Sequence, residues 1–193
     1  MVVVMPINLP NLLTWLRIVL IPLMVAVFYF PVDWWLSIHR DAVAAAMFGV
    51  AALTDWLDGY LARVLRQTSA FGAFLDPVAD KLMVAAALVM LVQLHRVDAL
   101  VAFIIIGREI TISALREWMA GMGAGGSVAV SMLGKVKTTV QMLAILCLLW
   151  HTPLIGWKVQ QTGTWLIWLA ALLTLWSMVY YLRCAWREIV HRG

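Results

Sequence analysis

Six long apolar blocks follow one another along this chain, and they limit its possible folds more than any other feature. They cover residues 12–30, 41–65, 82–94, 99–118, 140–150 and 165–182, with turn-forming or polar residues between them. Charged residues make up only 12% of the sequence, whereas a soluble domain has about 25%. This composition argues against a soluble enzyme and against a nucleic-acid-binding domain, and it predicts an integral membrane protein.

The number and spacing of the blocks predict the architecture. A transmembrane helix needs roughly 20 residues, so the 193 residues allow about six or seven spans. We therefore expect residues 1–193 to form one all-α integral membrane domain, a bundle of six transmembrane helices. Residues 1–11 are too short to span and are expected to form an N-terminal interfacial segment. Cys147 and Cys184 lie in apolar stretches and are interpreted as small core residues.

Blocks two to five are each apolar in one half and polar in the other. In an up-and-down bundle, the four polar halves would all lie on the same side. Ionisable groups at that depth are costly unless they line a watery cavity or pair with one another. The pattern therefore predicts a polar chamber that opens to one side of the membrane.

The distribution of basic residues predicts which side that is. Those on the chamber side are Arg63, Arg66, Arg116, Lys135, Lys137, Arg183, Arg187 and Arg192, and those on the far side are Arg40, Arg96 and Lys158. Because cytoplasmic loops carry the excess of Lys and Arg, we expect the chamber and both termini to face the cytoplasm.

Two helical stripes within the polar halves carry four aspartates. The first consists of Asp55, Asp58, Gly59, Ala62 and Arg63, and the second of Gly72, Asp76 and Asp80. On two antiparallel helices these stripes can face each other, so that four carboxylates converge. Such a cluster requires cations, and hard oxygen ligands suit Mg²⁺ or Mn²⁺. Four carboxylates can hold two such ions, a common arrangement in phosphoryl chemistry.

Other interpretations of these residues exist. A single intramembrane aspartate often pairs with an arginine or relays protons, and small residues in a membrane helix usually indicate close helix packing. A cation transporter would also bury carboxylates, but it should show two related halves with broken helices. The sequence contains no such repeat, and the four aspartates are confined to one helix pair.

The spacing D-x2-D-G-x2-A-R-x8-G-x3-D-x3-D, from Asp55 to Asp80, resembles the signature of the CDP-alcohol phosphatidyltransferases. The resemblance implies a six-helix membrane fold and a CDP-activated lipid or alcohol as donor. It also implies that Asp55, Asp58 and Asp76 bind metal, and that Asp80 completes the second metal site and acts as general base. By the same resemblance, Gly59, Ala62, Arg63 and Gly72 hold the CDP moiety.

The polar halves of blocks four and five carry a second group of candidate residues. It consists of Arg108, Glu109, Arg116, Lys135, Lys137, Thr138 and Gln141. Three or four cations facing a metal site favour a small anionic acceptor such as a phosphorylated alcohol. Alternatively, Lys135 and Lys137 extend to the membrane surface as positive-inside anchors.

Three further segments resemble the bacterial family members that use sn-glycerol 3-phosphate as acceptor. They are REITISALREW from Arg108, GKVKTTVQM from Gly134, and NLPNLLTWLR, which contains Asn8, Asn11, Thr14 and Arg17. The resemblance implies that the N-terminal segment closes over the nucleotide and the substrate phosphate. Asn11 and Thr14 then belong to the CDP-lipid site.

The same resemblance implies an acceptor phosphate site and a set of partners. The residues of the phosphate site are Arg17, Arg108, Arg116, Lys135, Lys137 and Thr138. The implied partners are CDP-diacylglycerol, sn-glycerol 3-phosphate and membrane lipids, without nucleic acid, in the bacterial inner membrane. A cardiolipin or phosphatidylinositol-phosphate synthase would share the aspartate signature, and the sequence leaves a homodimer open.

Overall fold

The computed structural model describes residues 9–29, 34–64, 70–121, 132–153 and 157–192. These ranges contain six α-helices. They are α1 (Leu9–Tyr29), α2 (Trp34–Val64), α3 (Ala70–Gln93), α4 (Ala99–Gly121), α5 (Met132–Trp150) and α6 (Val159–Arg192). The all-α prediction is confirmed for the described residues, and each helix covers one of the six apolar blocks to within one residue.

The helices extend beyond the apolar blocks at their polar ends. α3 begins at Ala70 and α5 at Met132, so the polar approaches to blocks three and five are helical. α1 begins at Leu9, and residues 9–11 of the expected interfacial segment therefore belong to the first helix. Residues 1–8 of that segment lie outside the described residues.

Two described stretches are long and apolar enough to cross a membrane by length and composition, namely Leu12–Tyr29 in α1 and Val159–Arg183 in α6. The apolar stretch of α5, Val136–Trp150, is shorter. In α2, α3 and α4 the apolar half is shorter than a span and adjoins a half that carries charged residues. Hydropathy alone therefore identifies fewer spans than the block pattern predicts.

The helices pack around one main hydrophobic core. α1 packs against α2 and α3, α2 against α5, α3 against α4, and both α4 and α5 against α6. The core includes Phe48, Leu88, Ile105, Ile145 and Ile167, contributed by α2 to α6. These side chains come from the apolar half of each helix, so the core occupies one end of the bundle and leaves the other end to polar groups.

The apolar end of the bundle is fastened by Arg96, in the turn between α3 and α4. Its guanidinium donates to the Asp41 carboxylate on α2 at 2.6 Å. It also donates to the main-chain carbonyls of Leu148 and Leu149, at 3.1 and 3.2 Å. Because the last carbonyls of a helix have no partner within it, Arg96 completes the end of α5 while it joins α2 to the α3–α4 turn.

The polar halves of α2 to α5 meet at the opposite end, as the sequence predicts, and polar side chains of α1 and α6 join them there. Side-chain contacts there join α1 to α2 and α3, α3 to α4, α4 to α5, and α4 to α6. Among the described residues of this end, Ile112, Met119 and Tyr181 form a small second apolar cluster. The structure therefore separates an apolar end that stabilises the bundle from a polar end that can carry chemistry.

Candidate active site

Three carboxylates surround one buried guanidinium at the polar end of the bundle. Arg17, on α1, is 0% exposed. Its Nη1 lies 3.1 Å from Asp55 Oδ1 and also contacts the Asp80 carboxylate, and its Nη2 donates to Asp58. Asp58 is almost buried, whereas Asp55 and Asp80 are about a third exposed. The two aspartate stripes therefore face each other as the spacing predicts, with a cation between them.

The fourth aspartate is held by the same helix. Thr14 Oγ1 donates a hydrogen bond of 2.7 Å to Asp76 Oδ1, and Thr14 is itself buried. Thr14 and Arg17 are three residues apart, so they occupy the same face of α1. Through these two side chains, α1 contacts all four aspartates of the α2–α3 pair.

This carboxylate cluster has the donor chemistry that a divalent cation requires. The four aspartates carry four negative charges against the single positive charge of Arg17, and all offer hard oxygen ligands. Among the described residues, no three Asp, Glu, His or Cys side chains are arranged so that they could hold a metal ion. Three of the four aspartates instead surround the guanidinium of Arg17, which lies where a metal ion would bind. The residue types fit a metal, and Arg17 is the group that a metal would displace or share ligands with.

A second charged cluster lies on α4 and α5 and has the opposite balance. Glu109 Oε1 accepts hydrogen bonds from Lys137 Nζ at 2.6 Å and from Arg108 Nη1 at 3.0 Å. Arg108 also donates to Ser177 of α6 at 3.2 Å. Lys137 is only 1% exposed and Arg108 is buried as well. Two buried cations therefore share one carboxylate.

The aromatic ring of Tyr181, on α6, holds the basic side of the site together. The guanidinium carbons of Arg116 and Arg108 lie 5.4 and 5.9 Å from its ring centroid. Cations at this distance from an aromatic face are attracted to its electrons. Arg108 and Arg116 thus share one ring, as expected for residues eight apart on one helix face.

A cavity of about 270 Å³ lies between the two clusters. Its lining residues come from α2 to α5 and are Asp55, Pro77, Asp80, Lys81, Val84, Glu109, Ser113, Arg116, Thr138, Gln141 and Met142. The charged lining residues are Asp55 and Asp80 on the side of α2 and α3, with Lys81 beside them, and Glu109 and Arg116 on α4. The buried Arg108 and Lys137 are joined to this lining through Glu109. Such a cavity can bind two ligands at once. One would be held on the acidic side through bound cations, and the other would be attracted to the basic residues by its own negative charge.

Sequence reasoning missed two polar residues of the cavity, Lys81 and Ser113. Lys81 Nζ donates a hydrogen bond to Ser113 Oγ across α3 and α4, and both line the cavity. Lys81 directly follows Asp80, so on a helix it points about 100° away from the aspartate stripe. Its place directly after Asp80 in the sequence could have indicated that Lys81 lies near the site. Helical periodicity could not, because Lys81 is not on the aspartate stripe.

The structure differs from expectation at Arg17. We predicted that its guanidinium binds the acceptor phosphate, but in this structure it contacts Asp55, Asp58 and Asp80. The phosphate assignment stays a prediction. Six other predicted residues fall outside the described side chains, namely Asn8, Asn11, Gly59, Ala62, Arg63 and Lys135. Gly72 is described and buried.

Comparison with known proteins identifies similar chains. The family model of the CDP-alcohol phosphatidyltransferases matches residues 7–176. Proteins from Escherichia coli, Shigella boydii and Shigella sonnei are each 50% identical over 188 residues, which covers 96% of this chain and 99% of the relative. Each is named CDP-diacylglycerol–glycerol-3-phosphate 3-phosphatidyltransferase.

Proposed function

Because the chain belongs to the CDP-alcohol phosphatidyltransferase family, we propose that it transfers a phosphatidyl group from CDP-diacylglycerol to sn-glycerol 3-phosphate. The products are phosphatidylglycerophosphate and CMP. The observation that carries this proposal is the cavity between the two charged clusters, which is lined by Asp55, Asp80, Glu109 and Arg116 among others. The names of relatives that match nearly the whole chain support the same reaction.

The acidic wall is the donor side. Asp55, Asp58, Asp76 and Asp80 would hold two divalent cations, Mg²⁺ or Mn²⁺, with Arg17 as the neighbouring fixed charge. When bound, such ions neutralise a pyrophosphate and stabilise the departing nucleotide. The CDP-lipid is further held by the residues of the signature and of the start of α1, namely Asn11, Thr14, Gly59, Ala62, Arg63 and Gly72.

The basic wall is the acceptor side. The phosphate of sn-glycerol 3-phosphate is bound by Arg17, Arg108, Arg116, Lys135, Lys137 and Thr138. Lys137 and Arg108 are already buried against Glu109, and cations in such a setting offer charge-assisted hydrogen bonds to an anion without a large cost of ordering.

Group transfer then requires one proton acceptor next to the reacting hydroxyl. The primary hydroxyl oxygen of the acceptor attacks the β-phosphorus of the donor, and the bond from that phosphorus to the CMP oxygen breaks. Asp80 takes the hydroxyl proton, because its carboxylate is partly exposed and lines the cavity. Asp58 is almost buried and is less accessible to a substrate hydroxyl.

The membrane arrangement is also part of the proposal. All six helices span the bilayer as one domain, with the polar end and both termini in the cytoplasm, as the distribution of Lys and Arg predicts. The acyl chains of the donor then stay in the bilayer while its head group reaches the cavity. Arg40, Arg96 and Lys158, which belong to the apolar end, face the opposite side.

The test is CMP release by the purified protein in detergent. We expect release from CDP-diacylglycerol only when sn-glycerol 3-phosphate and a divalent cation are both present, and a loss of release when a chelator is added. Inositol phosphate and phosphatidylglycerol serve as competing acceptors. Faster release with either of them would assign the chain to another reaction of the family. The absence of CMP with every acceptor would refute the proposed transferase activity.

A further inference from the structure

Gln141, on α5, has a buried amide oxygen that has no hydrogen-bond partner among the described residues. Gln141 is 2% exposed and lines the cavity between the two charged clusters. Its Oε1 is shielded from solvent and accepts no hydrogen bond from the described part of the chain. Nearly all buried polar side-chain atoms have a partner, and Gln141 borders the cavity, so a ligand bound there can supply the partner that this oxygen lacks.

The position of Gln141 on α5 indicates which part of a ligand would meet it. Lys137 precedes it by four residues, so the two side chains lie on the same face about 6 Å apart along the helix axis. Ile145, four residues further on, is completely buried in the main core. Gln141 is therefore the last polar group on this face, one turn deeper in the bundle than the cation expected at the phosphate.

The chemistry of the amide oxygen restricts the partner further. A carbonyl oxygen can only accept hydrogen bonds, so it cannot bind a phosphate. Arg116 and Lys81 line the same cavity and can bind a phosphate. The hydrogen-bond donors of a phosphorylated polyol are its hydroxyl groups.

We propose that Gln141 Oε1 accepts a hydrogen bond from the secondary hydroxyl of the acceptor, the hydroxyl that does not react. Gln141 is then a specificity-determining residue that distinguishes glycerol phosphate from phosphorylated alcohols with no hydroxyl at that carbon. The inference rests on the proposed function, because it assumes that this cavity binds the acceptor.

The experiment compares two acceptors with the wild-type protein and Gln141→Met. The acceptors are sn-glycerol 3-phosphate and 3-hydroxypropyl phosphate, which keeps the phosphate and the reacting primary hydroxyl but lacks the secondary one. The wild type should use 3-hydroxypropyl phosphate with a kcat/KM lower by about 3- to 30-fold. Gln141→Met should lose a similar factor with glycerol phosphate and almost nothing with the deoxy acceptor.

Two controls separate recognition from stability. Gln161→Met makes the same substitution at an exposed position of α6 at the opposite end of the bundle and should keep the wild-type preference. The thermal midpoint of Gln141→Met should equal or exceed that of the wild type, because the substitution removes an unpaired buried oxygen. The comparison of acceptors with the wild type needs no variant and tests the inference even if Gln141→Met folds poorly.

The outcomes distinguish this inference from the proposed function. Equal use of both acceptors by the wild type, or an equal loss with both in Gln141→Met, would overturn the role of Gln141. CMP release with glycerol phosphate would stand in either case. If the wild type released no CMP with glycerol phosphate, the proposed function would fail instead.

Discussion

The two charged clusters that face each other across the cavity are both held by ion pairs, but their ratios of acidic to basic side chains are opposite. On the acidic side, three carboxylates share the guanidinium of Arg17. On the basic side, Arg108 and Lys137 share the carboxylate of Glu109. Each cluster is therefore partly neutralised but keeps an excess of one sign, negative on one wall and positive on the other.

This difference explains how both clusters persist without ligands. A buried ion that lacks any partner is expensive, whereas a paired ion is tolerated. The single opposite charge in each cluster lowers that cost, and the uncompensated remainder is available to a substrate. The comparison predicts that the two sides respond separately to substitution, the acidic side through catalysis and metal dependence and the basic side through acceptor binding.

The largest effect is expected from Asp80→Asn. The amide keeps the shape of the side chain but cannot take the proton, so kcat should fall by about 10²- to 10⁴-fold. Turnover of the purified variant at saturating substrates measures this. Asp98→Asn is the matched control, because Asp98 is exposed at the start of α4 and asparagine caps a helix equally well. Near-normal turnover in Asp80→Asn would end its assignment as the base.

Arg17→Met tests whether the guanidinium stands in the place of a cation. The variant leaves three carboxylates without their shared partner, which should cost about 3–5 kcal/mol of folding free energy. A divalent cation binds the folded state in its place and should recover part of this loss. The measurement is the thermal midpoint with and without Mg²⁺ or Mn²⁺. A smaller cation-induced rise in the variant than in the wild type would show that the ion and Arg17 do not share ligands.

Lys137→Met tests the basic side. Loss of one charge-assisted contact of about 1.5–3 kcal/mol should lower the acceptor kcat/KM by about 10- to 200-fold. The affinity for CDP-diacylglycerol with metal present should hardly change, because Lys137 belongs to the cluster around Glu109, across the cavity from the carboxylate cluster. Lys158→Met, an exposed lysine at the other end of the bundle, controls for loss of charge. An equal weakening of donor binding would assign Lys137 to the donor pyrophosphate.

The smallest effect is expected from Ser113→Ala, which releases Lys81 from its hydrogen bond. Because Lys81 stays in the cavity, we expect the acceptor kcat/KM to change by only about 2- to 10-fold. Initial rates at varied concentrations of each substrate show which wall Lys81 serves. A change confined to the donor KM would place Lys81 functionally with the carboxylates, and a change confined to the acceptor would place it with Glu109 and Arg116.

The local part of the site could be predicted from the sequence. The spacing of Asp55 and Asp58, and of Asp76 and Asp80, follows the period of a helix, and a short connection makes consecutive helices antiparallel. These two facts suffice to bring the four aspartates together. The apolar halves of the helices likewise predicted the end of the bundle that contains the core.

Contacts between helices distant in sequence could not be predicted in this way. Arg17 has no spacing relation to the aspartates, and only the packing of α1 against α2 and α3 brings it onto their carboxylates. Lys81 lies off the aspartate stripe, so its bond to Ser113 depends on how α4 is rotated. Glu109 was recognised as a cavity residue, but its sharing by two cations requires α5 to be placed.

Arg96 makes the bundle mechanically asymmetric. It fastens α2, the α3–α4 turn and the end of α5 at one point, so a rotation of α5 about that point would displace the opposite end of the helix most. Lys137 lies 13 residues before Trp150, a lever arm of about 20 Å at 1.5 Å per residue. A tilt of α5 by about 5° around this point would shift Lys137 by about 1.7 Å, enough to break or form a hydrogen bond. Small rotations at the fastened end are thus amplified where the substrates react.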